Sequence, residues 1–439
     1  MCVLWTLLYI GGEELGETFY ILKDGDLRRK DNSVIITSLE GTEKNLKAEV
    51  TDEVYLFGEI SLNTKLLNFI SQKGIILHVF NYYGFYSGSY YPRETNISGY
   101  LLVQQVRAYD NEEKRLEIAK EILKASSYNI YRNLRYYNGR GINLKEAMRN
   151  IDSLINKLDY GKSINEIMGI EGNIRKTYYS TWNDIVKQDI NFKKRVKRPP
   201  DNMINTLISF INSLIYTTTL GEIYKTQLNP TISFLHEPGT KRFSLSLDIS
   251  EVFKPLIGDR MIFSMLNKNQ ITEEDFEKES NFLYLKESGK RKILMEYDKR
   301  LESTISHKEL GRDVSYRYLI RLECYKLIKH LIGEKEYSGF KIWWWYYMYI
   351  VLVYDIIADE EGAKVSRNVF KTCKKYLTNI QKSVFEGNLT ELNYMRLKTE
   401  LNKYLRTDRD SLLVFKSRDE KWLEKEFLGI IDDKTSNFF

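Results

Sequence analysis

The side chains best suited to metal-assisted chemistry gather between Phe234 and Arg260, where His236, Asp248 and Glu251 stand out. Asp248 and Glu251 stand at i and i+3, so on a helix they share one face about a turn apart and can hold one cation between them. A hard divalent cation acting on phosphate takes carboxylate oxygens and keeps positions open for substrate, and a neutral imidazole adds a borderline ligand that Mn²⁺ accepts. His236 can be that ligand. The same residues also suit a plainer assignment, with His236 filling a turn and the two acids forming a solvated helix face. Glu171 precedes a basic, tyrosine-bearing run that includes Arg175, Lys176, Tyr178 and Tyr179. Alone it reads as an acid at a helix N-terminus, favourable to the dipole. Lys193, Lys194, Arg195, Lys197 and Arg198 form an acid-free cluster before Pro199-Pro200. Such a cluster releases counterions from a nucleic-acid backbone, or is simply a solvated loop. A last acid, Asp355, ends the apolar run Tyr349–Tyr354.

The elements that must position these residues fall into three stretches. At 439 residues the chain is too long for one small core and suggests two or three domains. Residues 17–98 read as a β-rich domain: Asp24-Gly25 and Asp31-Asn32 separate short β-prone runs, Asn63–Ile70 is helix-like, and Ile75–Phe80 is a strand followed by a loop to Pro92. Residues 99–340 change to helical periodicity, as in Leu116, Ala119, Ile122 and Leu123, with Asp201 capping a helix from Met203 to Leu220. An aromatic junction, 341–347, lacks Gly, Ser and Pro, and residues 348–439 alternate strand and helix as a small α+β sandwich does. Residues 1–16 read as a possible extension and make a poor signal peptide, being short and without a basic leader. No apolar stretch approaches the roughly 20 residues a membrane helix needs. Lys and Arg number 66 against 60 Asp and Glu, an excess of +6 that permits a nucleic-acid partner. The cysteines Cys2, Cys324 and Cys373 have no disulfide or zinc spacing, which fits a reducing cytoplasm. A Walker-type phosphate loop, a nucleophile elbow and a zinc motif are all missing from the sequence, so chemistry of those kinds has no support.

Several spaced motifs then coincide in order: Phe57–Thr64, the tyrosine-rich run Phe80–Arg93, Ile170-Glu171-Gly172, Arg195–Pro200, and His236 with Asp248 and Glu251. Together, from about Thr18 to Trp344, they resemble CRISPR-associated endonuclease one, the adaptation integrase, in the style of subtype I-B. From Met348 onward, Val351–Ile356, Val384–Gly387 and Asp410–Phe415 resemble CRISPR-associated endonuclease two, its dimeric partner, so the chain looks like a fusion. The resemblance implies an amino-terminal β domain used for homodimer pairing, a helical catalytic domain, and a ferredoxin-like carboxy-terminal domain that dimerises. It implies Glu171, His236 and Glu251 as ligands of Mg²⁺ or Mn²⁺, Asp248 as a further active-site acid, and Asp355 as a metal candidate in the last domain. Arg175 and the basic cluster would bind nucleic acid. The implied reaction joins prespacer 3′-hydroxyl ends to repeat DNA by transesterification. A catalytically idle DNA-binding scaffold, and a metal-dependent ribonuclease activity of the last domain, are the competing readings.

Overall fold

The computed structural model describes residues 16–93, 96–190, 192–196, 199–239, 243–279, 282–307, 309–342, 348–389, 391–406 and 408–417. Contacts divide the chain into two compact units, Met1–Ile342 and Trp343–Phe439. The expected class, mixed α and β with a β-rich start, a helical middle and a small last domain, is the one found.

In the first unit, strands β1 (Glu17–Ile21), β5 (Thr51–Leu56), β7 (Ile76–Phe80) and β8 (Tyr86–Tyr90) form one sheet in the order β1-β5-β7-β8. β2 (Gly25–Lys30), β3 (Ser33–Ser38), β4 (Glu43–Lys47) and β6 (Ile60–Leu62) form a second, ordered β4-β3-β2-β6. Helix α1 (Thr64–Lys73) closes their shared core through Leu66, Phe69 and Ile70. Its ends follow the sequence: the Asn63 side chain accepts from the Leu66 amide, and Gly74 takes the left-handed turn at φ 75°. The expected loop after Phe80 instead contains β8, because Tyr86 to Tyr90 pairs antiparallel with β7.

The helical part runs α2 (Gly99–Asp110), α3 (Glu112–Asn138), α4 (Lys145–Leu158), α5 (Ile164–Ser180), the short α6 (Trp182–Ile185), α7 (Met203–Tyr224), α8 (Ser244–Phe253), α9 (Arg260–Asn267), α10 (Glu287–Glu302) and α11 (Tyr316–Leu331). α3 and α7 are the long internal struts, and α7 is buried along most of its length. Asn202, not Asp201, caps α7, accepting from the Asn205 amide, while Asp201 accepts from the Asn205 side chain. Two small hairpins interrupt the expected helical stretch: β9 (Phe276–Glu279) with β10 (Phe282–Leu285), and β11 (Thr304–His307) with β12 (Arg312–Ser315).

The second unit reads β13 (Met348–Asp355), α12 (Gly362–Tyr376), β14 (Thr378–Gln381), β15 (Val384–Leu389), α13 (Glu391–Leu401) and β16 (Ser411–Ser417). Its sheet has the order β14-β15-β13-β16, every neighbour antiparallel, which is the ferredoxin-like arrangement of a βαββαβ chain. Ile350, Leu352, Val369, Cys373 and Phe385 form its core.

Candidate active site

α8 and the loop before it carry three of the expected residues. Gln105 of α2 fixes the loop, donating to the carbonyls of Asn229 at 2.9 Å and Ile232 at 2.8 Å and accepting from the Asn229 amide at 3.0 Å. Arg115 of α3 holds the Phe234 carbonyl at 2.9 Å and the Glu237 carboxylate at 2.7 Å. Between these supports, Asp248 lies fully buried under the loop. Its Oδ2 accepts the amides of Phe234 and Leu235 at 2.7 and 2.9 Å, and its Oδ1 accepts the His236 amide at 2.9 Å and faces His236 Nδ1 at 2.8 Å. An ionised carboxylate only accepts, so Nδ1 carries the proton and Nε2 keeps its lone pair for a ligand. The expectation that Asp248 and Glu251 share one cation is therefore corrected. Both oxygens of Asp248 are spent on the loop, and its place is behind the histidine, as an orienting group.

Glu251, one turn along α8, meets Arg175 and Lys254. Arg175 Nη2 donates to Glu251 Oε2 at 2.5 Å and Lys254 Nζ to Oε1 at 2.5 Å, while Arg175 Nε donates to Glu171 Oε1 at 2.9 Å. Burial alone would raise the Glu251 carboxyl, but Lys254 and Arg175 hold it down to about 2. Glu171 is not the N-terminal helix acid expected from its neighbours. It sits in the middle of α5, which starts at Ile164 with Ser163 as its cap, and it faces Arg175 one turn further on. Arg175 likewise is no free phosphate contact here: its side chain is 13% exposed and committed to two carboxylates.

The far end of α8 is shaped by Pro255, which has no N–H to continue the helix, and the chain turns through a π-helical segment, Pro255–Asp259, of the kind that marks functional sites. Two asparagines one turn apart on α3 splint this break. Asn129 donates to the Val252 carbonyl at 3.0 Å and Asn133 to the Pro255 carbonyl at 2.8 Å. Asn129 also donates to the Phe340 carbonyl at 2.9 Å and accepts from the Ile342 amide at 2.9 Å, pinning the strap that follows α11 against the same turn. Asp259, buried in that turn beside Arg175 and Tyr178, has its carboxyl pushed up to about 6 by burial. Sequence reasoning passed over Lys254, Asn129, Asn133 and Asp259. Only Lys254 had a readable signal, its i+3 spacing from Glu251.

Of the basic cluster, Lys193 and Lys194 are exposed, and Lys197 and Arg198 lie outside the described residues. Arg195 is turned inward instead: it donates to the Asn205 backbone and side-chain oxygens at 3.1 and 3.0 Å and to Ser209 Oγ at 2.8 Å, so it anchors the first turn of α7. In the second unit Asp355 is exposed at the end of the central strand, opposite Ser411. Arg406 holds the nearby acids, pairing with Asp359 at 2.7 and 2.8 Å and with Asp410 at 2.8 and 2.7 Å.

Among the described residues no three His, Cys, Asp or Glu side chains close around a common point where a metal ion could be held. The donor chemistry nevertheless fits a hard divalent cation, with Glu171 and Glu251 already converging on a cationic group and His236 presenting Nε2.

Comparison with known proteins matches the same stretches. The family described as CRISPR associated protein Cas1 covers residues 19–299, and that described as CRISPR associated protein Cas2 covers residues 348–425. The chain is 58% identical over 335 residues to a CRISPR-associated endonuclease Cas1 of Fusobacterium nucleatum, spanning 76% of this chain and 99% of the relative. It is 49% identical over 333 residues to a Clostridium perfringens protein of the same name, spanning 75% of this chain and 100% of the relative. Among solved structures, a CAS1 protein from Thermotoga maritima aligns with a TM-score of 0.67 at 40% identity, over 74% of this chain and all of that one. A casposase bound to its integration product shares the fold, with a TM-score of 0.64 at 22% identity over 74% of this chain and 93% of that one.

Proposed function

The chain belongs to the Cas1 endonuclease family of CRISPR adaptation and carries a Cas2 domain behind its Cas1 part, and from that premise we propose that it joins prespacer 3′-hydroxyl ends to repeat DNA by metal-dependent transesterification. The observation that carries this reading is the pairing of His236, fixed at Nδ1 by Asp248, with two acids, Glu171 and Glu251, gathered on the one guanidinium of Arg175.

Glu171, His236 and Glu251 would hold Mg²⁺ or Mn²⁺. Bound there, the ion supplies a Lewis-acid charge that polarises a phosphodiester and stabilises the extra negative charge of the transition state. The rest is the work of this chain. Asp248 keeps the imidazole in one tautomer and one orientation, and the Gln105 and Arg115 supports keep the loop from drifting off α8. The Asn129–Asn133 splint holds the turn behind Glu251, so the acid is presented from a fixed base. The prespacer 3′-hydroxyl gives up its proton as its oxygen bonds to the repeat phosphorus, the repeat's own P–O3′ bond breaks, and the departing 3′-oxygen takes up a proton from water to become the new 3′-hydroxyl. One phosphodiester replaces another, and no nucleotide is consumed. Double-stranded prespacer and repeat DNA are the substrates. The amino-terminal β domain pairs two copies, the Cas2 domain supplies a central dimer, and the assembly works in the cytoplasm.

The test is strand transfer into a supercoiled repeat plasmid with Mn²⁺, Mg²⁺ or chelator. Glu171→Ala, His236→Ala and Glu251→Ala should each lower joining by roughly a thousandfold or more while leaving duplex affinity measured in chelator within about twofold of the parent. Normal joining by any one of them removes that residue from the site, and joining in chelator removes the metal.

A further inference from the structure

Glu171 and Glu251 are the acids the proposed reaction needs for a divalent cation, yet in the structure both are taken. Arg175 bridges them, 2.9 Å from Glu171 Oε1 and 2.5 Å from Glu251 Oε2, and Ser126 Oγ steadies the same Nη2 at 3.4 Å. The remaining oxygen of Glu251 carries the Lys254 ammonium. With Asp259 in the adjoining turn, the two fixed cations already face three carboxylates. A divalent ion added to that set would place four positive charges against three negative ones in a pocket whose side chains at Glu171, Arg175, Glu251 and Lys254 are 13–22% exposed, an excess that burial makes costly. One resident cation has to yield. Arg175 is the effective one to leave, because its departure frees an oxygen on each acid, whereas Lys254 touches Glu251 alone. A guanidinium is also the cation best shaped to grip a phosphate through two parallel N–H bonds.

We propose that Arg175 is an exchangeable counter-ion: it surrenders Glu171 and Glu251 to the divalent cation and takes a DNA phosphate in their place, so that metal loading and DNA binding are one linked event. The proposal rests on the reading of those two acids as ligands. It reconciles the buried ion pairs of Arg175 with the phosphate-binding role its sequence context suggests. Because coupling between two ligands is reciprocal, each raises the affinity of the other by the same factor, and removing Arg175 removes the link.

The experiment needs no turnover. Free Mn²⁺ is counted by electron paramagnetic resonance in titrations of the intact chain without DNA. Arg175→Gln should bind Mn²⁺ about tenfold more tightly than the parent, since no internal cation competes. Duplex affinity is then measured by fluorescence anisotropy on a DNA whose 3′ ends lack hydroxyls. Saturating Mn²⁺ should tighten parental binding about tenfold and leave Arg175→Gln within about twofold. Should Arg175→Gln fail to fold, Arg175→Lys serves, since an ammonium cannot fork across both acids, and the same two shifts are expected at smaller size. Equal Mn²⁺ affinity in parent and variant, or undiminished coupling, overturns the exchange while leaving the ligands in place. Absence of Mn²⁺ binding by the parent overturns the ligand reading and the exchange with it.

Discussion

Two clusters of buried charge in this protein are built from nearly the same parts. At the junction between the β sheets and the helices, Glu53 of β5, His78 of β7, Glu222 of α7, Lys225 just past its end, and Arg317 and Arg321 of α11 interlock. At the site, Glu171, Glu251, His236, Arg175 and Lys254 do so with Asp248. The difference lies in closure. Glu53, Glu222 and His78 are fully enclosed, Arg317 is 7% exposed, and Tyr55, Thr218 and Tyr297 continue the hydrogen bonding around them. At the site Glu171, Glu251 and His236 keep 14–22% of their side chains exposed, and the histidine is braced by an acid on one nitrogen with no hydrogen-bond partner on the other among the described residues. His78 has the reverse arrangement: Nδ1 bonds Ser89 Oγ at 2.6 Å, and Nε2 is sealed without a hydrogen-bond partner 3.9 Å from Glu53. Like groups thus make a brace where the acids and the histidine are fully enclosed, and a candidate centre where Glu171, Glu251 and His236 keep contact with solvent.

The largest effect should come from breaking each cluster at its acid. Glu53→Gln leaves Arg317 and Lys225 buried against a neutral amide, a change that typically costs about 3–5 kcal/mol. Urea unfolding of the intact chain should show that loss, while the folded protein binds Mn²⁺ as the parent does. Glu251→Gln should behave oppositely, costing about 1–2 kcal/mol because Arg175 retains Glu171, yet abolishing strand transfer. Equal stability losses from the two variants would erase the distinction between brace and centre.

The pH dependence should separate the clusters next. Burial pushes His78 down to about 4, so between pH 6.5 and 4 the unfolded chain binds a proton that the folded one refuses, and stability falls as pH falls. Burial pushes Asp259, in the turn behind the site, up to about 6. Between pH 6 and its ordinary range near 4 the folded chain therefore binds the extra proton, and stability rises as pH falls. Relative to the parent, His78→Gln should regain about 2 kcal/mol between pH 7 and 4.5, and Asp259→Asn should lose a similar amount. Urea midpoints at four pH values read both slopes, and slopes of the same sign would show that the two environments are alike.

Much of this organisation is legible in the sequence because it is local. The Asp31-Asn32 turn, the Asn63 cap and Gly74 stop, and the i, i+3 spacing on α8 each depend on neighbours in the chain, whereas Asp24-Gly25 makes no hairpin because β1 and β2 join different sheets. Two short hairpins escaped because strands such as Phe276-Glu277-Lys278-Glu279 are too brief and too polar for periodicity to register. Glu171 was misplaced because the basic, tyrosine-bearing run after it reads as a helix of its own, whereas α5 already begins at Ile164 and runs through Glu171. The use of Asp248 was hidden for another reason. It faces the 234–236 backbone across a turn whose shape only the packing of Gln105 and Arg115 decides. Arg175 was found by type but not by partner, since Glu251 lies 76 residues away.

The smallest expected effect concerns cations that differ in the same way as the clusters do. Lys193 and Lys194 are exposed, while Arg195 beside them is bonded to Asn205 and Ser209 at the start of α7. Each phosphate neutralised by a surface cation adds about 0.9 to the slope of log affinity against log salt. Lys193→Gln with Lys194→Gln should therefore flatten that slope by up to about 1.8 for any duplex sequence, with unfolding free energy unchanged within about 0.5 kcal/mol. Arg195→Gln should leave the slope alone and cost about 1–3 kcal/mol, because Asn205 and Ser209 lose a buried donor that no water replaces. Anisotropy titrations at four salt concentrations and urea melts of the same samples measure both quantities. A slope that follows Arg195 rather than the two lysines would mean that an inward-facing guanidinium can turn out to DNA at the expense of its own helix, and the closed-versus-open distinction would then fail at the scale of a single side chain.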